Sequence, residues 1–258
     1  MTRPLLHRLA LLAAAVVTGT LLAGLPAAST QAAAPSSAAR VDDVPEVGDC
    51  HRLSYFESLK PTDTDRPVPC TGPHTSRTFL VATVPARVDL SDLDAVRREV
   101  GDRCIPVWRE VVSPSIKRRL MSTYSLVWFV PTRGEIRRGA RWLRCDLVLY
   151  GGGSLAPLPP ARTPQLGAAP HADAEARCYE SKRWDYEVTV CSRRHAYRAK
   201  GVYTMSGRAY PDAARLQRVA ARRCPRIAGT QQWTVFNPSP DDWRDGFKYF
   251  VCTAITKS

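Results

Sequence analysis

Eight cysteines fall in two groups of four along this chain: Cys50, Cys70, Cys104 and Cys145, then Cys178, Cys191, Cys224 and Cys252. An even count in an oxidising compartment reads as a disulfide framework. Each quartet carries a histidine four residues after its second cysteine: CTGPH gives Cys70 and His74, and CSRRH gives Cys191 and His195. The two quartets also end alike. PTRGEIRRGARWLRC (131–145) and PSPDDWRDGFKYFVC (238–252) run from Pro to Cys without a gap, so Pro131 answers Pro238, Gly139 answers Gly246, Arg141 answers Lys248 and Trp142 answers Tyr249. Aligned quartets, a repeated C-x-x-x-H and an ungapped final motif imply one module present twice.

Four cysteines allow three pairings per module. The preferred set joins first with second and third with fourth: Cys50–Cys70, Cys104–Cys145, Cys178–Cys191 and Cys224–Cys252. The first two of each quartet flank short extended segments able to pair as neighbours. The third is expected to end a helix and the fourth to lie in a final strand, so that bond staples helix to sheet. Closing such loops is worth roughly 3 kcal/mol in the chain-entropy model. Modules of this size bury a real core but gain from staples.

The expected organisation is a signal peptide over 1–34, a flexible lead over 35–45, a first module over 46–150, a Pro/Gly/Ala linker over 151–176 and a second module over 177–258. Arg3, His7 and Arg8 precede the apolar run from Leu9 to Leu25, and small residues follow; cleavage is expected between about residues 27 and 34. An uncleaved anchor is the alternative, because the apolar run is long. Nothing downstream is apolar over a bilayer's width. The expected location is therefore extracytoplasmic, in the cell envelope.

Within each module the expected fold is α+β, a short antiparallel sheet with one main helix. RTFLVATV (77–84) and YSLVWFVP (124–131) read as strands, with QQWTVFNP (231–238) as the latter's counterpart. Ser91 offers a helix N-cap, and Leu93, Val96, Val100 and Cys104 follow at helical spacing; Asp212 opens the counterpart, with Ala213, Leu216, Ala220 and Cys224. Thr132 with Glu135, and Ser239 with Asp242, have capping-box spacing. Pro240 suits a first helical position, and Gly139 and Gly246 suit a left-handed stop. RWLRCDLVLY and FKYFVCTAI are the closing strands. The linker, rich in Pro, Gly and Ala, is expected to be semi-extended.

The net charge is +13, mostly from arginine. It reads either as a compositional bias or as attraction to an anionic surface, such as phosphate-bearing wall polymers or lipid head groups. No nucleic-acid motif appears. Arg133, Arg137, Arg138, Arg141 and Arg144 crowd one motif, and Arg215, Arg218, Arg222 and Arg223 lie on one helix; a solvated face is the plain reading and an anion-binding face the sharper one. His74 and His195 read first as turn caps beside a disulfide, then as ligand contacts; their spacing from cysteine does not suit zinc. Full pairing of the cysteines leaves no thiolate nucleophile, and no G-x-S-x-G or phosphate loop is present. Asp241, Asp242 and Asp245 fall in a capping turn. No cofactor and no catalytic residue are assigned.

VGDCHRL, VPCTGPHTSRTFLVATVP and GARWLRCDLV together resemble the septum formation domain family of exported or membrane-tethered actinobacterial proteins. The resemblance covers 46–150; a second copy over 177–255 keeps CSRRH and the final motif but lacks Val-Gly-Asp before its first cysteine. It implies a cell-envelope role in division septa and carries over no catalytic residues. The expected function is a non-enzymatic envelope binding or scaffolding protein whose partner is an anionic wall polymer or a division protein. The alternative is a wall-active hydrolase with its site between the modules, and a zinc or thiol centre is the third reading.

Overall fold

Alternation along Trp142–Tyr150 explains the first half of the molecule. Leu143, Cys145, Leu147 and Leu149 belong to one apolar cluster, while Trp142 and Val148 belong to another on the opposite side. A strand with period two sends successive side chains to opposite faces, so this strand has both faces covered. In this computed structural model, which describes residues 44–160, 166, 171–181 and 185–256, it is the centre of an antiparallel sheet. The expected signal peptide and most of the lead lie outside the described residues.

The first module runs β1 (Cys50–His51), α1 (Tyr55–Ser58), β2 (Ser76–Thr83), α2 (Leu93–Glu99), a π-helical turn (Val100–Cys104), α3 (Ile105–Val112), α4 (Ile116–Leu120), β3 (Tyr124–Phe129), α5 (Arg133–Arg137) and β4 (Trp142–Tyr150). The sheet order is β1-β2-β4-β3. The helical run 93–112 covers one face through Val96, Val100, Cys104 and Val112. The other face lies under Leu53 from the segment after β1 and under Leu155.

The second module runs β6 (Arg177–Ser181), β7 (Tyr186–Val190), β8 (Tyr197–Thr204), α6 (Ala213–Ala228), β9 (Trp233–Phe236), α7 (Pro240–Arg244) and β10 (Tyr249–Ile255), after a short β5 (Leu155–Ala156) that pairs with β4. Its sheet order, β7-β6-β8-β10-β9, contains that of the first sheet strand for strand: β6, β8, β10 and β9 stand where β1, β2, β4 and β3 stand. The register agrees as well. Cys145 faces Leu80 and Asp146 faces Thr78, so the ladder skips Phe79; Cys252 faces Gly201 and Thr253 faces Ala199, so it skips Lys200. The bulge thus lies on β2 and on β8, in each case opposite the step after the fourth cysteine. The hairpin β6–β7 is reduced in the first module to a single bridge, Cys50 to Val68.

The sulfurs join Cys50 to Cys70, Cys104 to Cys145, Cys178 to Cys191 and Cys224 to Cys252, each bond within one module. Cys104 and Cys224 do not end their helices. The helical run continues to Val112 in one and to Ala228 in the other, because apolar residues that pack on the sheet, Val107 and Val111, and Ile227, extend the stripe. The N-cap of α2 is Asp92, whose carboxylate accepts from the amides of Asp94 and Ala95; Ser91 instead turns its hydroxyl to Asp89. Asp212 caps α6.

Thr132 with Glu135 and Ser239 with Asp242 both form reciprocal capping boxes. Gly139 and Gly246 then take φ of 99° and 87°, which turns each chain back into the closing strand. Residues 151–160 are seated on the fold: β5 pairs with β4, Leu158 donates its amide to the His74 carbonyl, and Leu155, Ala156 and Leu158 are buried.

The modules meet through several backbone bonds. Arg177 donates to Met121 directly between them, while Thr123 donates to the Glu175 carbonyl and Gly152 donates to Val188 by way of the linker. The face of the second sheet opposite α6 carries Tyr179, Ala199 and Val251, which pack on Leu120 and Met121 of the first module.

Candidate functional site

The two repeated histidines occupy the same turn. His74 Nδ1 donates to the carbonyl of Gly72 at 2.9 Å, and His195 Nδ1 donates to the carbonyl of Arg193 at 2.7 Å. In each case the acceptor lies two residues back, between the cysteine and the histidine. His74 is buried, and its Nε2 accepts from Arg77 at 3.3 Å. Among the described residues, no three His, Cys, Asp or Glu side chains group to hold a metal.

The arginines of the closing motif divide into two kinds. Arg133, Arg137 and Arg138 are exposed on or beside α5. Arg141 turns inward, donating to the carbonyls of Val84, Pro85 and Val88. Arg144, expected on the same basic face, is 3 % exposed and sits deep in the fold. Its place follows from parity: on β4 it shares the face of Trp142 and Val148, which the segment after β1 covers.

Around Arg144 the structure assembles a buried polar centre whose members, apart from Arg144, were not singled out from sequence. Arg144 Nη2 donates to Asp63 Oδ2 at 2.6 Å, and its Nε lies 3.1 Å from Asp146 Oδ1. Asp146 also accepts from Ser76 Oγ at 3.1 Å and Thr78 Oγ1 at 2.8 Å. The guanidinium lies over the Phe129 ring, 4.4 Å from its centroid. His51 Nδ1 is 3.7 Å from Asp63. Burial holds the His51 pKa below its ordinary value, with the Arg144 charge acting the same way. Burial pushes Asp146 up, while Arg144, His51 and the two hydroxyls pull it back.

In the second module the ladder places Val251 where Arg144 stands, Thr253 where Asp146 stands and Ala199 where Thr78 stands. The fold therefore does not require the charges. One signal in the sequence pointed to them: WLRCDLV alternates charge with apolar residues at period two, a pattern that also fits a solvated face.

The other basic surface is α6. Arg215, Arg218, Arg222 and Arg226 recur at spacings of three and four and are exposed, and Arg223 flanks them with its guanidinium over the Tyr203 ring at 5.5 Å. The helix itself contains no Asp or Glu. Among the described residues, the guanidiniums of Arg215, Arg218, Arg222 and Arg226 have no acidic partner. The carboxylates in the first turn of α7 are already used: Asp242 closes the capping box and Asp241 pairs with Arg244.

A cleft of about 290 Å³ opens at the seam between the modules, lined by side chains from both. A second hollow of about 260 Å³, beside α1 and β3, is lined by Leu59, Leu93, Trp128 and Tyr150 among others. Among the described residues no helix is long and apolar enough to cross a membrane.

The sequence pattern of the septum formation family matches residues 113–252 as one stretch, not as two. That stretch begins at the end of α3, takes in β3, β4 and the linker, and ends at Cys252. No curated protein and no solved structure matches the chain.

Proposed function

Because this chain belongs to the septum formation family, and so has a suggested role in cell division, we propose that it acts outside the cytoplasm as a binding or scaffolding protein of the cell envelope. We further infer that its two modules are tandem copies of one unit, a reading supported by the shared strand order, the bulge at one register and the repeated histidine turn. Four disulfides with no cysteine left over favour the extracytoplasmic location. The partner is an anionic wall polymer.

The observation that carries this reading is the arginine stripe of α6. A row of exposed guanidiniums on a rigid helix, without carboxylates to neutralise it, is a surface for phosphate or carboxylate groups spaced along a polymer. Arg133, Arg137 and Arg138 add a second basic site near α5.

The test is sedimentation of the full chain with purified phosphate-bearing wall polymer, at low and high salt. Retention should fall as salt rises. Replacing Arg215, Arg218, Arg222 and Arg226 together by Ser should abolish it, and these exposed positions leave the fold intact. Retention unchanged by those replacements would refute the stripe as the contact. Release of soluble wall fragments would instead point to the hydrolase alternative.

A further inference from the structure

The cleft at the seam has a composition that the proposed surface does not explain. Its wall holds Ile105, Trp108, Leu120 and Phe247 as apolar members, and Arg109, Arg119 and Arg177 as charged ones. Among the described residues, no carboxylate lines it.

Arg119 is the telling member. It is 7 % exposed, yet among the described residues it has no carboxylate partner. One of its nitrogens donates to the Ser113 carbonyl, and its guanidinium lies 5.4 Å from the Trp108 ring centroid. These contacts orient the group but leave its charge uncompensated, which is costly for a buried cation. The neighbouring Arg109 adds to that cost: burial lowers the Arg119 pKa and the Arg109 charge lowers it further. Arg177 is fixed by donating from Nε to the Ser122 carbonyl at 2.9 Å, and it too lacks a carboxylate partner. The indole N–H of Trp108, buried in the same wall, has no acceptor among the described residues.

We propose that this cleft binds a phosphate monoester carried on an apolar chain, with Arg109, Arg119 and Arg177 holding the phosphate and Trp108, Ile105, Leu120 and Phe247 holding the chain. A phosphate suits the site better than a carboxylate because its higher charge and three terminal oxygens answer several guanidiniums at once. The apolar wall excludes a bare inorganic ion as the full ligand. Both modules contribute, so the site exists only when they are packed together. The proposal does not rest on the α6 reading, since the two surfaces share no residue.

The experiment is calorimetric titration of the full chain with octyl phosphate, against octanol and inorganic phosphate as comparators. Octyl phosphate should bind, and each comparator should bind about tenfold or more weakly: octanol forfeits the hydrogen bonds to charged groups, and inorganic phosphate leaves the apolar wall uncovered. Arg109→Gln, at an exposed position, should weaken octyl phosphate by about tenfold with the melting temperature unchanged. Arg119→Lys, which keeps the charge but loses the planar fork, should also weaken it. The Ser replacements on α6 should leave it unaltered.

Flotation with phosphatidic acid vesicles, against phosphatidylcholine vesicles, identifies the source. Retention lost in Arg109→Gln assigns a lipid phosphate, and binding of octyl phosphate without vesicle retention assigns a soluble ester. Octanol binding as tightly as octyl phosphate, or an affinity indifferent to both arginine replacements, would overturn the proposal.

Discussion

Arg144 grips Asp63 at 2.6 Å with both side chains shut off from water, and so ties the segment after β1 to the middle of the first sheet. The neighbouring Asp146 shares the same guanidinium. Replacing Arg144 by Met strands two carboxylates in the interior, and should cost about 3–5 kcal/mol in urea unfolding. Grafting the residues of the second module, Arg144→Val with Asp146→Thr, together with Asp63→Asn, should recover most of that loss. If the single and triple variants unfold at the same urea concentration, charge pairing is not what holds this segment.

His51 gives the polar centre a pH signature. Its folded pKa lies below the unfolded value of 6.5, so between the two the unfolded chain binds more protons. Its contribution to stability is complete above about pH 6.5 and is lost as the pH falls towards the folded value. Asp146 is shifted upwards, and from its unfolded value of 3.8 upwards it acts in the opposite sense. Comparison with His51→Gln isolates the histidine: urea midpoints of the parent should drop on moving from about pH 7 to about pH 5 more steeply than those of the variant. Parallel curves would remove His51 from the account.

Gly201 lets α6 lie close against β8. A Cβ at this position would stand 2.6 Å from Cγ2 of Ile227. Gly201→Ala should therefore destabilise by about 1–3 kcal/mol, through overpacking rather than backbone strain. Adding Ile227→Ala should restore part of the loss, and a thermal-melt double-mutant cycle measures the coupling. Strictly additive effects would mean that the helix does not press on this glycine.

The disulfides should differ in worth. Cys104–Cys145 spans 41 residues and Cys178–Cys191 spans 13. On chain entropy alone, losing the first pair should cost about 4 kcal/mol and losing the second about 3 kcal/mol. Paired Cys→Ser variants compared by urea unfolding test that order. Peptide mapping without reduction should find every crosslink inside one half.

What the sequence disclosed were features built from near neighbours. The capping boxes at Thr132 and Ser239 and the stops at Gly139 and Gly246 are each set by residues within one or two turns, so spacing alone reveals them. The strands around Val127 and Val251 were legible for the same reason. Arg144 was misplaced because the alternation of β4 says that one face differs from the other, and not what lies above it. The cover is the segment after β1, which has no period to betray it. The seam cleft was out of reach on similar grounds: Trp108, Arg119, Arg177 and Phe247 come from four separate stretches of chain that only docking brings together.

Leu120 and Met121 roof the open side of the second sheet, yet no sulfur bridge crosses from one half to the other. Apart from the peptide chain that runs through 151–176, their union is a noncovalent marriage of two internally locked bodies. An agent that weakens apolar adhesion without reducing sulfur should part them while each remains knitted, baring a greasy surface around Tyr179 and Val251. Clumping under mild denaturant would then begin at that surface, well before either half loses its own shape.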